Sequence, residues 1–243
     1  MKNIFLYLLL AIALAALLSG CSWLRSTPDE PEPTPEELAQ AGAEAMERED
    51  YKDAIDYYTQ LRENHPFSPY TPMAKVGLGD AYFKRGNYET AISVYNEFEE
   101  MHPRHELLPY VLFRTGLSYY EQFTSIDRPQ RNMQHALEYF RRVYQVHPET
   151  EYAQDARYYM HQCRIKIAEH ELYVADFYWR TSRYGSAWER YEYVLENFRD
   201  LEEIAEYARE RAKTSYYKHQ MQRSEYMRVE EREGLWRRFV DWL

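Results

Sequence analysis

The chain has 243 residues, 45% of them apolar and 16% aromatic, and a formal net charge of -10. Those fractions exclude wholesale disorder, and so acidic a body is a poor nucleic-acid binder, because phosphate contacts need clustered Lys and Arg. Two cysteines, Cys21 and Cys163, are too few for the disulfide framework of a small secreted scaffold.

In chain order, Lys2 precedes an uncharged apolar run from Ile4 to Leu18. A short apolar stretch behind one positive charge reads as a signal-peptide core and is marginal as a membrane span. It ends in Leu18-Ser19-Gly20-Cys21, which resembles the bacterial lipobox. That resemblance implies cleavage before Cys21, a thioether-linked diacylglycerol on its sulfur and a further acyl chain on the new amino group. Several chains together anchor stably, whereas one holds only marginally. Ser22 in place of Asp implies release to the outer membrane. The alternative is an uncleaved anchor helix with a chance cysteine at its end. Residues 22–35 read SWLRSTPDEPEPTP, and Pro28, Pro31, Pro33 and Pro35 keep them extended. This spacer would reach on the order of 40 Å. The expected organisation is a signal peptide over 1–20, a lipidated Cys21 with its tether over 21–35, and a folded domain over 36–243.

The folded part repeats. Gly42, Gly79 and Gly116 are 37 residues apart, twice running. Ala54 and Ala91 follow the first two glycines at equal distance, then Tyr58 and Tyr95, then Pro66 and Pro103. Ala136, Phe140 and Pro148 keep the same mutual spacing in a third unit, after an insertion around Thr124 to Asn132. Ala175, Tyr178, Ala187 and Tyr191 mark a fourth unit, with Arg199 where proline is expected. These residues match the tetratricopeptide pattern L-G-x2-Y…A-x3-F…P, nearly whole in Leu78, Gly79, Tyr82, Ala91, Tyr95 and Pro103. Small residues let each antiparallel helix pair approach closely, the aromatics fill the space beside them, and proline stops the second helix. From Glu149 to Tyr184 there is neither Gly nor Pro, which predicts one continuous helix of about 54 Å. The expected fold is all-α: a tetratricopeptide-repeat superhelix of about five helix pairs, ten helices in all, with one long helix in the fourth. The last is expected over Gly234 to Leu243, with Leu235, Phe239 and Trp242 on one stripe and Trp236, Val240 and Leu243 beside it. That face would either cap the terminal repeat or dock on another protein or on lipid headgroups.

No catalytic pattern emerges. There is no P-loop or nucleophile elbow, and Gly77-x-Gly79 lacks the third glycine of a dinucleotide fingerprint. His65, His102 and His147 each precede a repeat-ending proline, where imidazole sits well against a helix C-terminus. His161, Cys163 and His170 share the long helix without the spacing that puts two ligands on one face. Cys163 reads as an ordinary helix residue. No cofactor, metal or catalytic residue is expected.

A helical array binds along the concave surface lined by the first helix of each unit. One residue along from the packing stripe, that face reads Ala39, Ala43, Met46 and Glu47 in unit one, and Met73, Val76, Asp80, Phe83 and Lys84 in unit two. In unit three it reads Tyr110, Phe113, Leu117, Tyr120 and Glu121. The groove expected to grip an extended, aromatic-bearing peptide is therefore Met73, Val76, Phe83, Lys84, Tyr110, Phe113, Leu117 and Tyr120. The competing reading packs Phe83, Phe113 and Tyr120 between neighbouring units.

The chain from Cys21 onward resembles the BamD family of tetratricopeptide lipoproteins. The residues that carry the resemblance are Arg62-x2-His65-Pro66-Phe67-Ser68-Pro69-Tyr70, then Leu108-Pro109-Tyr110-Val111 with Arg114-Thr115-Gly116-Leu117. Tyr152, Asp155 and Ala156, and Glu171, Val174, Ala175, Tyr178 and Arg180, resemble its long fourth-repeat helix. His65 stands where the family has Tyr, and the insertion after Gln122 is short. The resemblance implies a non-enzymatic scaffold of the outer-membrane β-barrel assembly (BAM) machine, lipid-anchored in the outer membrane and facing the periplasm. It implies C-terminal repeats that hold a POTRA domain of BamA and N-terminal repeats that receive the β-signal of unfolded outer-membrane proteins, alongside other BAM lipoproteins. Arg190 falls where the family has an arginine facing BamA. The rival readings are another envelope tetratricopeptide lipoprotein serving pilus or secretin assembly and, further off, a periplasmic enzyme.

Overall fold

The computed structural model describes residues 32–242; Cys21, the signal sequence and most of the tether lie outside them. The described residues form nine α-helices: α1 (Pro35–Glu47), α2 (Tyr51–Asn64), α3 (Thr71–Lys84), α4 (Tyr88–Met101), α5 (Leu108–Glu121), α6 (Arg131–Val146), α7 (Tyr152–Arg180), α8 (Tyr184–Asn197) and α9 (Glu202–Trp242). None of these helices is long and apolar enough to cross a membrane. The array opens on a capping box at Thr34. Its hydroxyl accepts from the Glu37 amide at 3.3 Å, and the Glu37 carboxylate accepts from the Thr34 amide at 2.7 Å. Pro35 is the first helical residue.

Each helix packs on the next in sequence, which is the antiparallel stacking the repeat predicted. The small residues do the work assigned to them. A Cβ on Gly79 would meet the Tyr95 ring at 2.4 Å, and one on Gly116 would meet the Phe140 ring at 2.8 Å. Tyr58 is held from two sides, since a Cβ on Gly42 of α1 or on Gly77 of α3 would reach its ring at 2.4 or 2.6 Å. Ala54, Ala91, Ala136 and Ala187 are all fully buried on the second helices. α2, α4 and α6 stop just before His65, His102 and His147, whose amides donate to Leu61, Phe98 and Val143 carbonyls. Pro66, Pro103 and Pro148 follow directly and oppose helical geometry in the residue before them. The turns inside pairs one, two and four each use a left-handed residue: Glu49 (φ 60°), Gly86 (φ 76°) and Ser182 (φ 60°).

Two features depart from the expectation. The uninterrupted stretch forms α7 with 29 residues, roughly 44 Å long, rather than running its full length. The C-terminal region is one helix rather than a pair. α9 continues for 41 residues through Gly234, so the described residues hold nine helices and Gly234 starts no helix of its own. Nothing lies within 4 Å of a Cβ placed on Gly234, and glycine's entropic cost of about 1 kcal/mol does not break a helix flanked by good formers. The first half of α9 packs Ala205, Ala208, Ala212 and Ser215 into the array. Beyond the Gln222 side chain, which donates to the Ser182 carbonyl at 3.2 Å, the helix projects. Leu235, Trp236, Phe239, Val240 and Trp242 are exposed, so this face does not cap the terminal repeat.

Candidate binding surface

The expected groove divides when its residues are placed. Met73 is 67% exposed at the start of α3, and Lys84 is exposed at its end. Phe83, Tyr110 and Tyr120 are half-buried. Val76, Phe113 and Leu117 lie in the core and cannot line an open wall. Their burial has a simple cause. A first helix packs on its own partner, on the preceding second helix and on the next first helix, so its apolar stripe is wider than one row. For α5 the third neighbour is the N-terminal half of α7: Phe113 meets Tyr152 and Tyr159 at ring separations of 5.8 and 5.9 Å, and Tyr120 meets Tyr159 at 5.2 Å. Phe83 lies 3.9 Å beneath the Arg114 guanidinium. Phe113, Tyr120 and Phe83 thus pack between units.

Asp80, noted on that face, instead centres a polar clamp across three helices. Its carboxylate accepts from the Tyr95 hydroxyl at 2.6 Å, the Tyr110 hydroxyl at 2.8 Å and the Arg114 Nε at 2.9 Å. Burial, and then the adjacent Asp80 charge, raise the Tyr95 and Tyr110 phenols well above the ordinary tyrosine range. The arrangement recurs in unit four. Asp176 of α7 accepts from the hydroxyls of Tyr191 on α8 and Tyr207 on α9, the latter at 3.0 Å to each oxygen. Arg211, one turn beyond Tyr207, lies 5.3 Å from Trp179, which stands where Phe83 does. The sequence carries a signal for both clamps: Asp80-x2-Phe83 and Asp176-x2-Trp179, each followed by Tyr-x3-Arg in the next first helix. It goes unread when each helix is scanned alone, because the partners are far apart in sequence.

The second clamp differs in one respect. Arg114 bonds its aspartate directly, but the Arg211 Nε donates to the Tyr207 hydroxyl at 3.1 Å and pairs with no carboxylate among the described residues. Beside it is a cavity of about 200 Å³ lined by Tyr173, Asp176, Trp179, Arg180 and Arg211. Tyr173 and Phe177 stand exposed on the same stretch of α7. The open aromatic lining of the array is therefore richest in unit four rather than in unit three.

Arg190 sits on α8 with a half-exposed side chain, bonded at 2.7 Å to Glu171 of α7. Cys163 is fully buried, and burial pushes its thiol up to about 12. No cluster of His, Cys, Asp and Glu suited to a metal ion occurs among the described residues.

The sequence profile of the YfiO family, described as "Outer membrane lipoprotein", matches residues 31–230. Three curated relatives carry the name "Outer membrane protein assembly factor BamD". That of Vibrio cholerae serotype O1 is 29% identical over 77% of this chain and 81% of its own length. That of Pasteurella multocida is 28% identical over 79% and 76%. That of Caulobacter vibrioides is 26% identical over 76% of this chain, which spans only 62% of that relative's length. Among solved structures, the TPR2AB domain of yeast Sti1, in its pHSP90 complex, superposes with a TM-score of 0.48 at 15% identity, over 76% of this chain and 70% of that one. A thermophilic TPR protein of Thermus thermophilus gives 0.44 at 15% identity, over 73% and 98%. With a profile match running from the end of the tether into the projecting part of α9, the chain belongs to the YfiO family of outer membrane lipoproteins, the family of the BamD assembly factors.

Proposed function

We propose that the chain is a non-enzymatic scaffold of outer-membrane protein assembly, associated with the outer membrane and working inside the BAM complex. The observation that carries this reading is the profile match over residues 31–230, which takes in all four complete helix pairs and the packed half of α9. The finer roles are as follows. Cys21 carries the lipid anchor, and the residue 22–35 tether holds the array on the periplasmic side. The C-terminal repeats hold the POTRA region of BamA, with Arg190 at that contact and other BAM lipoproteins alongside. The N-terminal repeats receive β-signals of unfolded outer-membrane proteins through the accessible part of the first-helix face. That part comprises Met73 and Lys84, with Tyr110 half-open between units. Exposed Phe67 and Tyr70, just ahead of α3, extend it. Aromatic and aliphatic side chains beside few charges suit an extended chain whose alternate residues are apolar.

Two experiments test the finer roles. Palmitate labelling is expected in the wild type and lost in Cys21→Ala; equal labelling would contradict the anchor. Arg190→Ala is expected to reduce co-purification of BamA more than Lys213→Ala, a substitution at another exposed cation. Equal retention would remove Arg190 from the contact.

A further inference from the structure

The two clamps are built alike but finished differently, and the difference leaves positive charge facing open space. In unit two, Phe83 covers Arg114, whose charge Asp80 neutralises, and the arginine side chain is only 13% exposed. In unit four, Trp179 takes the corresponding place, 5.1 Å from the Tyr184 ring as Phe83 is 5.2 Å from Tyr88, but it lies 5.3 Å from the Arg211 guanidinium and also 4.8 Å from the Lys218 ammonium. Beside it lies the cavity lined by Tyr173, Asp176, Trp179, Arg180 and Arg211. Three cations, Arg180, Arg211 and Lys218, stand around Trp179, and none pairs with a carboxylate among the described residues. The one acid in the lining, Asp176, already accepts from two tyrosine hydroxyls.

We propose that this cavity is a carboxylate-binding subsite for a polypeptide ligand, in which the guanidinium groups of Arg211 and Arg180 take the anion. Tyr173 and Trp179 flank the apolar side chain next to it. A guanidinium whose Nε is engaged still offers its terminal N–H groups in the fork that matches a carboxylate. A volume of about 200 Å³ falls below that of drug-sized pockets. It suits one side chain or one chain end, as expected of a subsite within a longer groove. The carboxylate could be the C-terminus of a chain or an internal Asp or Glu, and both present the same group. The subsite stands on the geometry of α7 and α9 and does not depend on which protein is held.

The test uses the full-length chain in detergent and fluorescence anisotropy with three N-terminally labelled peptides: Ala-Ala-Ala-Phe as the free acid, the same peptide as its amide, and Ala-Glu-Ala-Phe amide. The free acid is expected to bind at least about tenfold more tightly than its amide, the worth of one charge-assisted hydrogen bond. Arg211→Gln and Arg180→Gln are each expected to remove most of that preference. Arg180 is exposed and makes no hydrogen bond to another residue, so its replacement leaves folding intact and separates lost binding from lost structure. If the glutamate peptide matches the free acid, the recognised group is a carboxylate regardless of its position; if only the free acid binds, a chain terminus is required. Equal binding of acid and both amides, or an acid preference that survives both substitutions, would overturn the proposal.

Discussion

Asp80 shows how one carboxylate ties three helices together. Replacing it by Asn leaves the largely buried Arg114 without its counter-charge and weakens two phenol hydrogen bonds. The expected cost is about 3 kcal/mol, read as a shift in the urea midpoint at constant slope. Asp176→Asn weakens hydroxyl bonds but breaks no ion pair, so it should cost nearer 1 kcal/mol; equal costs would mean that the two clamps are not built differently. Glycines divide in the same way. Gly79→Ala drives a methyl into the Tyr95 ring and should destabilise by about 1–3 kcal/mol. Gly234→Ala meets nothing within 4 Å and should raise the helicity of the α9 extension through propensity alone, by about 1 kcal/mol. Glu49 holds a left-handed backbone that favours glycine, so Glu49→Gly should stabilise by about 1 kcal/mol. Circular dichroism melts of these three variants would check all three signs.

Among elements, α7 and α9 separate what the sequence makes legible from what it hides. The first three pairs, their proline stops and the glycine-to-aromatic contacts could be read from the recurrent spacing of Gly, Ala, aromatic and Pro, because close packing at a fixed register demands the same small and large residues each time. The burial of Phe113 and Leu117 could not be read that way. It depends on how far α7 reaches back over α5, and the spacing within α5 carries no information about that. Nor did local pattern reveal that α9 runs through Gly234, since a glycine inside an otherwise strong helix former is a weak stop. The extension also makes a prediction of its own. Among the described side chains, truncation after Gln222 removes only exposed or half-exposed ones, with no hydrogen bond to any other helix. It should therefore change unfolding stability by no more than about 0.5 kcal/mol. A larger loss would place the extension back against the repeats.

Across the whole molecule, stacking buries a continuous interior while leaving each unit's first helix to face outward or against the next one. Buried hydrophobic residues form one cluster from α5 to α9 and two smaller ones over α1 to α5. Such an array transmits little from end to end except through neighbours. The client capture proposed near α3 and the partner binding proposed near α8 would therefore be able to occupy one chain together. The scaffold role is tested most directly by photo-crosslinking in cells synthesising outer-membrane proteins, with the crosslinker placed at Met73, Lys84, Tyr173 or Phe177 on first helices, or at Glu196 on α8. Adducts to unfolded outer-membrane proteins at Met73 and Lys84, well above those at Glu196, are the result expected of an array that grips clients on its N-terminal first helices. Adducts spread evenly over all five positions, or absent from all of them, would contradict it.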